Sequence, residues 1–335
     1  MSRPVIGWYV HHHGSGHLGR LRAIAPHLDA DLFCFSSLPA PDDLPAHCRW
    51  VPLDRDDQGE TPAPTADGLL HWAPLGHPGH RRRLTTIADT VERHRISAMV
   101  VDVSVEVTLF ARLLGIPPVL IAQPGRRDDL PHTLGLRAAT RVIAPWPADL
   151  VPAAHLDAVR EKVVHVGGIS RFEGRAVPTT ERSGVLMLGG RGGTTVTGEQ
   201  IESAVAATPD RRWTLLGTPA ASATWSADPW SALTAADTVV SWAGQNAIAD
   251  LAVAQARAVV VPQPRPFDEQ HATAAALAAA GLAVVADDWP EPAAWPELLD
   301  RAAALRPDWS RWRTDGAAAR AAEVIDRVAR GGAGC

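Results

Sequence analysis

At 335 residues the chain exceeds what one compact core usually organises, and it fits two domains of roughly 100–200 residues each. Its 46% hydrophobic and 21% charged residues suit an ordinary globular protein, and a formal net charge of -5 gives no general attraction to nucleic acid or anionic lipid. The three cysteines, Cys34, Cys48 and Cys335, are an odd number without metal-ligand spacing, which argues against a disulfide framework or zinc cluster and for a reducing, cytoplasmic setting.

The amino terminus passes directly into a strand over residues 5–10 with no signal-peptide core, and no apolar run reaches the roughly 18–20 residues of a membrane helix. A helix is predicted over residues 18–28, followed by strands at 32–35, 50–53, 98–101 and 119–122. Residues 54–68 are polar and proline-rich and read as a mobile loop. A short strand at 163–166 leads into glycines, and a linker is expected over 168–183, where glycine permits bending and few apolar side chains can pack. The alternation resumes with strands at 184–188, 213–216, 238–241, 258–261 and 283–286. Residues 309–330 have alanine-rich helical spacing. Strands alternating with helices imply parallel sheets covered on both faces. The expected fold is therefore α/β, with two doubly wound Rossmann-like domains, 1–167 and 184–308, facing a cleft, and a carboxyl-terminal helix within 309–335 returning toward the first domain.

Several constellations carry chemistry. The run H-H-H-G-S-G-H-L-G-R, residues 11–20, follows the first strand, and its glycines allow a sharp turn that leaves His17 near a helix start. Imidazole titrates near neutrality, so His17 suits proton abstraction, with helix capping as the alternative. The spacing of Gly14, Gly16 and Gly19 resembles a dinucleotide fingerprint but lacks the acidic residue after the second strand. Strand alternation would send neighbouring histidines to opposite faces, and no carboxylate follows at ligand spacing, so no metal is expected at residues 11–13. His13 stays a cleft-facing candidate on the acceptor side. Asp102 and Glu106 follow the strand at 98–101 and are placed to orient His17, to meet an acceptor, or to cap a helix.

The run V-L-M-L-G-G-R-G-G-T-T, residues 185–195, reads as strand, glycines and helix, and amides exposed at a helix start bind phosphate oxygens. The basic run at 80–83 suits either an anionic acceptor or a solvated helix face, and Trp225 or Trp230 could stack on a base. After the strand at 239–241, Gly244 opens a helix whose Asn246 and Asp250 lie four apart on one face. The next strand ends at Pro262, and the polar loop 263–270 lies beyond its carboxyl end, where open α/β sheets bind ligands.

The segments G-Q-N-A-I-A-D, residues 244–250, and P-Q-P-R-P-F-D-E-Q, residues 262–270, resemble the donor signature of glycosyltransferase family 28. The resemblance implies the GT-B architecture and metal-independent, inverting transfer of a sugar from a nucleotide donor, UDP-linked, to a hydroxyl acceptor. It assigns Asp250 to the ribose hydroxyls and Glu269 and Gln270 to the donor sugar. It sets Gly189, Gly190, Arg191, Gly192, Gly193 and Thr194 against the diphosphate, Arg171 beside the leaving group, and His17 as general base. This chain departs from the pattern at Asp250, usually glutamate, and at Ala247, often threonine or serine. No cofactor is expected. The acceptor, lipid-linked or small, is not readable, and peripheral association with a membrane stays open. The rival readings are a nucleotide-sugar hydrolase or epimerase on the same scaffold, and a non-catalytic sugar-nucleotide-binding protein.

Overall fold

The computed structural model describes residues 3–14, 16–190 and 192–331. The first sheet consists of β1 (Val5–Tyr9), β2 (Asp31–Ser36), β3 (Cys48–Pro52), β4 (Ala98–Asp102), β5 (Pro118–Ile121), β6 (Arg141–Ala144) and β7 (Val163–His165), all parallel, in the order β3-β2-β1-β4-β5-β6-β7. Its helices are α1 (Gly16–Ile24), α2 (Pro78–His94), α3 (Val105–Leu113) and α4 (Leu130–Ala138). β4 is buried at every position, as expected of a parallel strand covered on both faces. The helix predicted to Leu28 ends at Ile24, because Pro26 lacks the amide a helix interior requires, and a short 3-10 turn, Ala25–His27, replaces the last turn. β6 has only three apolar residues and escapes the sequence pattern; pairing with β5 and β7 defines it.

The second sheet holds β8 (Val185–Leu188), β9 (Trp213–Leu216), β10 (Thr238–Ser241), β11 (Ala258–Val260) and β12 (Val284–Val285), again parallel, in the order β12-β11-β10-β8-β9. Its helices are α5 (Gly198–Ala206), α6 (Trp230–Ala235), α7 (Gln245–Val253), α8 (Glu269–Ala279) and α9 (Trp295–Ala304). The last helix, α10 (Ala317–Ala329), buries Ala317, Ala321 and Ile325 in one core with Ile6, Trp8 and Leu21 of the first domain. Another core takes in Met99 and Val101 of the first sheet and Val239 and Val260 of the second, together with Phe172, Trp309 and Trp312.

Gly167 and Gly168, at the start of the expected linker, allow close approach. A Cβ on Gly167 would lie 2.1 Å from the Arg313 carbonyl oxygen, and one on Gly168 would lie 2.4 Å from the Trp312 ring. The loop at 54–68 is anchored near its start, where Asp56 is buried against Arg83. No helix among the described residues is long and apolar enough to cross a membrane.

Parallel register fixes what meets at each sheet edge. Tyr9 pairs with Val101 and Asp102 with Ile121, so the loops after β1, β4 and β5 emerge side by side. Ser241 pairs with both Leu188 and Val260, which sets the loops after β8, β10 and β11 together.

Candidate active site

On the first edge, α1 carries His17 and Arg20 one turn apart, so both reach the same neighbour. That neighbour is Asp102, the last residue of β4, fully buried. Arg20 Nε and Nη2 donate to Asp102 Oδ2 and Oδ1 at 2.8 Å each, a bidentate pair. His17 Nδ1 lies 3.1 Å from Asp102 Oδ1 and 2.9 Å from Arg20 Nη2. Nδ1 faces a donor and an acceptor: giving its proton to Asp102 leaves the Nε2 lone pair free, whereas accepting from Arg20 Nη2 puts the proton on Nε2, and base chemistry at Nε2 requires the first arrangement. Burial penalises the Asp102 charge, but Arg20 and His17 more than offset that and hold the carboxyl well below the usual carboxylate range. His11 stands 5.6 Å from the His17 ring, and burial with the neighbouring histidines lowers its pKa to about 3, which keeps it neutral.

Of the two carboxylates suggested after β4, only Asp102 is bonded to His17. Glu106 accepts from the amides of His71 at 2.8 Å and Trp72 at 3.0 Å, and so pins the loop ahead of α2. His13 is largely exposed and its Nε2 lies 3.4 Å from Asp57. In the basic run at 80–83, Arg81 and Arg82 are exposed, whereas Arg83 is buried, paired with Asp56 and donating to Tyr9 Oη at 2.8 Å.

On the second edge, Gly189 and Gly190 play different parts. A Cβ on Gly189 would stand 2.2 Å from the Gly217 carbonyl oxygen, so packing requires glycine there, whereas Gly190 faces open space. The glycines do not open the helix as expected from the sequence. α5 starts at Gly198, where Thr197 and Gln200 form a capping box that uses the helix-start donors internally. Any phosphate cradle here is therefore made by the loop itself, and the amides of Gly190, Gly192 and Gly193 donate to no described residue. Arg265 Nη2 donates to the carbonyls of Gly192 and Gly193 at 2.6 Å each, and Thr194 Oγ1 donates to Gln263 Oε1 at 2.6 Å. Arg191 lies outside the described residues.

Gly244 is the N-cap of α7, and the helix sends its two polar residues to different partners. Asn246 Nδ2 donates across the cleft to the Gly16 carbonyl at 2.9 Å. Asp250 accepts from Ser170 Oγ at 2.6 Å and has Arg171 Nε at 3.5 Å. Burial pushes the Asp250 carboxyl up to about 6, against the lowering influence of Ser170 and Arg171. Gln270 Oε1 accepts from the amides of Ala243 at 3.1 Å and Gln263 at 2.9 Å, which ties the loops after β10 and β11 together and leaves Nε2 as the free donor end. Trp225 is half exposed, and Trp230 packs on Phe172.

The two edges meet. Arg20 Nη1 reaches Gln245 Oε1 at 3.3 Å and Asn246 Oδ1 at 3.4 Å, and Arg127 Nη2 reaches Glu269 Oε2 at 3.2 Å. Gly125, in the left-handed region at φ 98, passes so near the Phe267 carbonyl that a Cβ would stand 2.1 Å from it. A cavity of about 640 Å³ opens beside this contact, lined by Arg126, Arg127, His155 and His271. Sequence reasoning did not single out Arg20, Arg127, Gln263, Arg265 or Ser170. Arg20 carried a usable signal, its position three residues after His17 on a helix. The others carry none, since the contacts that place them in the site, Arg127 to Glu269, Ser170 to Asp250, Gln263 to Thr194 and Arg265 to Gly192, span 69 to 142 residues of sequence.

Residues 198–299 match the glycosyltransferase family 28 C-terminal domain. No curated protein matches the sequence. Among solved structures, MurG of Acinetobacter baumannii is similar at 18% identity and a TM-score of 0.61, covering 97% of this chain and 100% of that one. Arabidopsis thaliana UGT89C1, solved with UDP, is similar at 13% identity and a TM-score of 0.66, covering 98% and 99%. A Polygonum tinctorium UDP-glucosyltransferase shares 14% identity at a TM-score of 0.66, covering 98% and 99%. At such identities the likeness to these structures shows the fold, GT-B, while the glycosyltransferase class rests on residues 198–299, which match the family 28 C-terminal domain.

Proposed function

We propose that the enzyme transfers a sugar from a nucleotide donor, UDP-linked, to a hydroxyl acceptor held by the first domain, by a single displacement that inverts the anomeric carbon and draws on no metal for the transfer step. The observation that carries this reading is the buried His17–Asp102–Arg20 cluster facing the second edge across the cleft. In the displacement His17 Nε2 takes the acceptor proton, the acceptor oxygen forms the new bond to the anomeric carbon, and the bond from that carbon to the diphosphate oxygen breaks. Asp102 then faces an imidazolium, which it stabilises at 3.1 Å. The open amides of Gly190, Gly192 and Gly193 suit the diphosphate, with Arg171 as the cation beside it. Gln270 Nε2 and Glu269 are assigned to donor hydroxyls, and Asp250 to the ribose, which it reaches by exchanging its Arg171 contact. Unpaired Cys34 and Cys48 suit a cytoplasmic enzyme, and the acceptor is either lipid-linked at a membrane face or small.

The test is a panel of nucleotide sugars screened for thermal stabilisation, followed by initial rates with acceptor libraries. Transfer predicts nucleoside diphosphate release that depends on acceptor. Release from donor alone at the full rate would point to a hydrolase. Donor binding with no turnover by any acceptor would point to a sensor.

A further inference from the structure

The histidines at 11–13 lie beyond the end of β1, so strand alternation does not govern them, and His11 stacks on His12 with ring centroids 5.1 Å apart. The carboxylate missing from the local sequence comes from the loop ahead of α2. Asp57 Oδ2 lies 3.5 Å from His12 Nε2 and 3.4 Å from His13 Nε2. Donor atoms bound at 2.0–2.1 Å around a tetrahedral ion stand about 3.3–3.4 Å apart, and these two spacings are close to that, with all three ligand atoms within 4.8 Å of one another. The second, independent observation is His12 itself. Its side chain is only 4% exposed, and neither ring nitrogen has a hydrogen-bond partner among the described residues, although Nε2 lies 3.5 Å from Asp57 Oδ2. A buried polar atom left unpaired is destabilising, which a coordinated ion would offset at Nε2.

We propose that His12 Nε2, His13 Nε2 and one oxygen of Asp57 bind a divalent transition-metal cation of the zinc class, which fastens the loop at 54–68 to the turn that leads into His17. Two imidazoles and one carboxylate are a borderline donor set, which favours zinc or cobalt over magnesium or calcium. Arg55 already donates to both Asp57 oxygens, Nε to Oδ1 at 2.9 Å, and this orients the carboxylate while leaving a lone pair on Oδ2 for the ion. The ion would lie on the acceptor side and take no part in the transfer step. A second His–Asp group, His71, Asp129 and His132, is less suited, because His132 Nδ1 is bonded to Asp129 at 2.8 Å and Nε2 to Arg127 at 2.9 Å.

The experiment titrates the full chain, stripped with chelator, with zinc chloride by calorimetry and with cobalt(II) by visible absorption. The expected result is one equivalent of zinc bound, a tetrahedral cobalt spectrum, and a rise in Tm on zinc addition. Affinity should fall at least tenfold in both His13→Gln and Asp57→Asn and stay unchanged in His71→Asn. His13 is 65% exposed, so its replacement leaves the core intact, and circular dichroism verifies this. The proposal is overturned if zinc does not bind, if binding survives both His13→Gln and Asp57→Asn, or if His71→Asn is the variant that abolishes it.

Discussion

The edge of the first sheet fixes its central side chains with buried ion pairs, Arg20 with Asp102 and Arg83 with Asp56, whereas the edge of the second fixes Gln270, Gln263 and Thr194 with neutral hydrogen bonds. The difference fits the role proposed for each edge. Proton abstraction creates charge on a side chain, so a counter-charge must be in place and unable to move. On the proposed reading a nucleotide donor brings its own negative charge, which the open amides would receive with Arg171 beside them. The glycines at 190, 192 and 193 supply those amides, with their carbonyls turned to Arg265 at positions 192 and 193.

This contrast can be broken most directly at His17. Replacing His17 with alanine is expected to lower kcat by about 10²- to 10⁴-fold while donor affinity stays within a factor of about two. Asp102→Asn should lower kcat by a similar order, because an amide no longer stabilises the imidazolium or enforces the tautomer. Initial rates and donor calorimetry check both. Equal losses in donor affinity and rate would move His17 out of the chemistry.

Arg20→Ala tests the ion pair as structure. It strands a fully buried carboxylate, and a loss of roughly 3–5 kcal/mol in urea unfolding is expected. Asp250 offers a sharper probe through pH. Its folded pKa of about 6 lies above the ordinary 3.8, so the native state holds the proton more tightly than the unfolded chain. That contribution to stability is full below about pH 4 and is lost as pH rises through about 6, on the order of 2–3 kcal/mol. Asp250→Asn should flatten this decline, measured as the difference in unfolding midpoints between the two proteins from pH 4 to 7. An unchanged slope would show that another group is responsible.

The smallest expected effects separate packing from binding on the second edge. Gly189→Ala drives a methyl group into the Gly217 carbonyl and should cost roughly 1–3 kcal/mol. Gly190→Ala meets nothing, so stability should hold within about 0.5 kcal/mol while the KM for donor rises. If Gly190→Ala leaves KM unchanged, the loop is packing alone.

What the sequence determined is what repeats locally. Alternating apolar runs and helical spacing are enough to specify two parallel sheets, because a strand buried on both faces leaves a continuous apolar signature, and the block at 244–270 carried the family. Of Asp102 and Glu106, both open from the sequence as partners of His17, acceptor contacts or caps, Asp102 stands 3.1 Å from His17 Nδ1. Tertiary structure alone decided that Glu106 holds a loop, that Arg127 meets Glu269, that Gln270 braces two turns, and that Asp57 joins the histidines after β1. These contacts join residues brought together by strand order and by the meeting of two sheet edges. No local spacing encodes that meeting, since it depends on how the whole chain closes on itself.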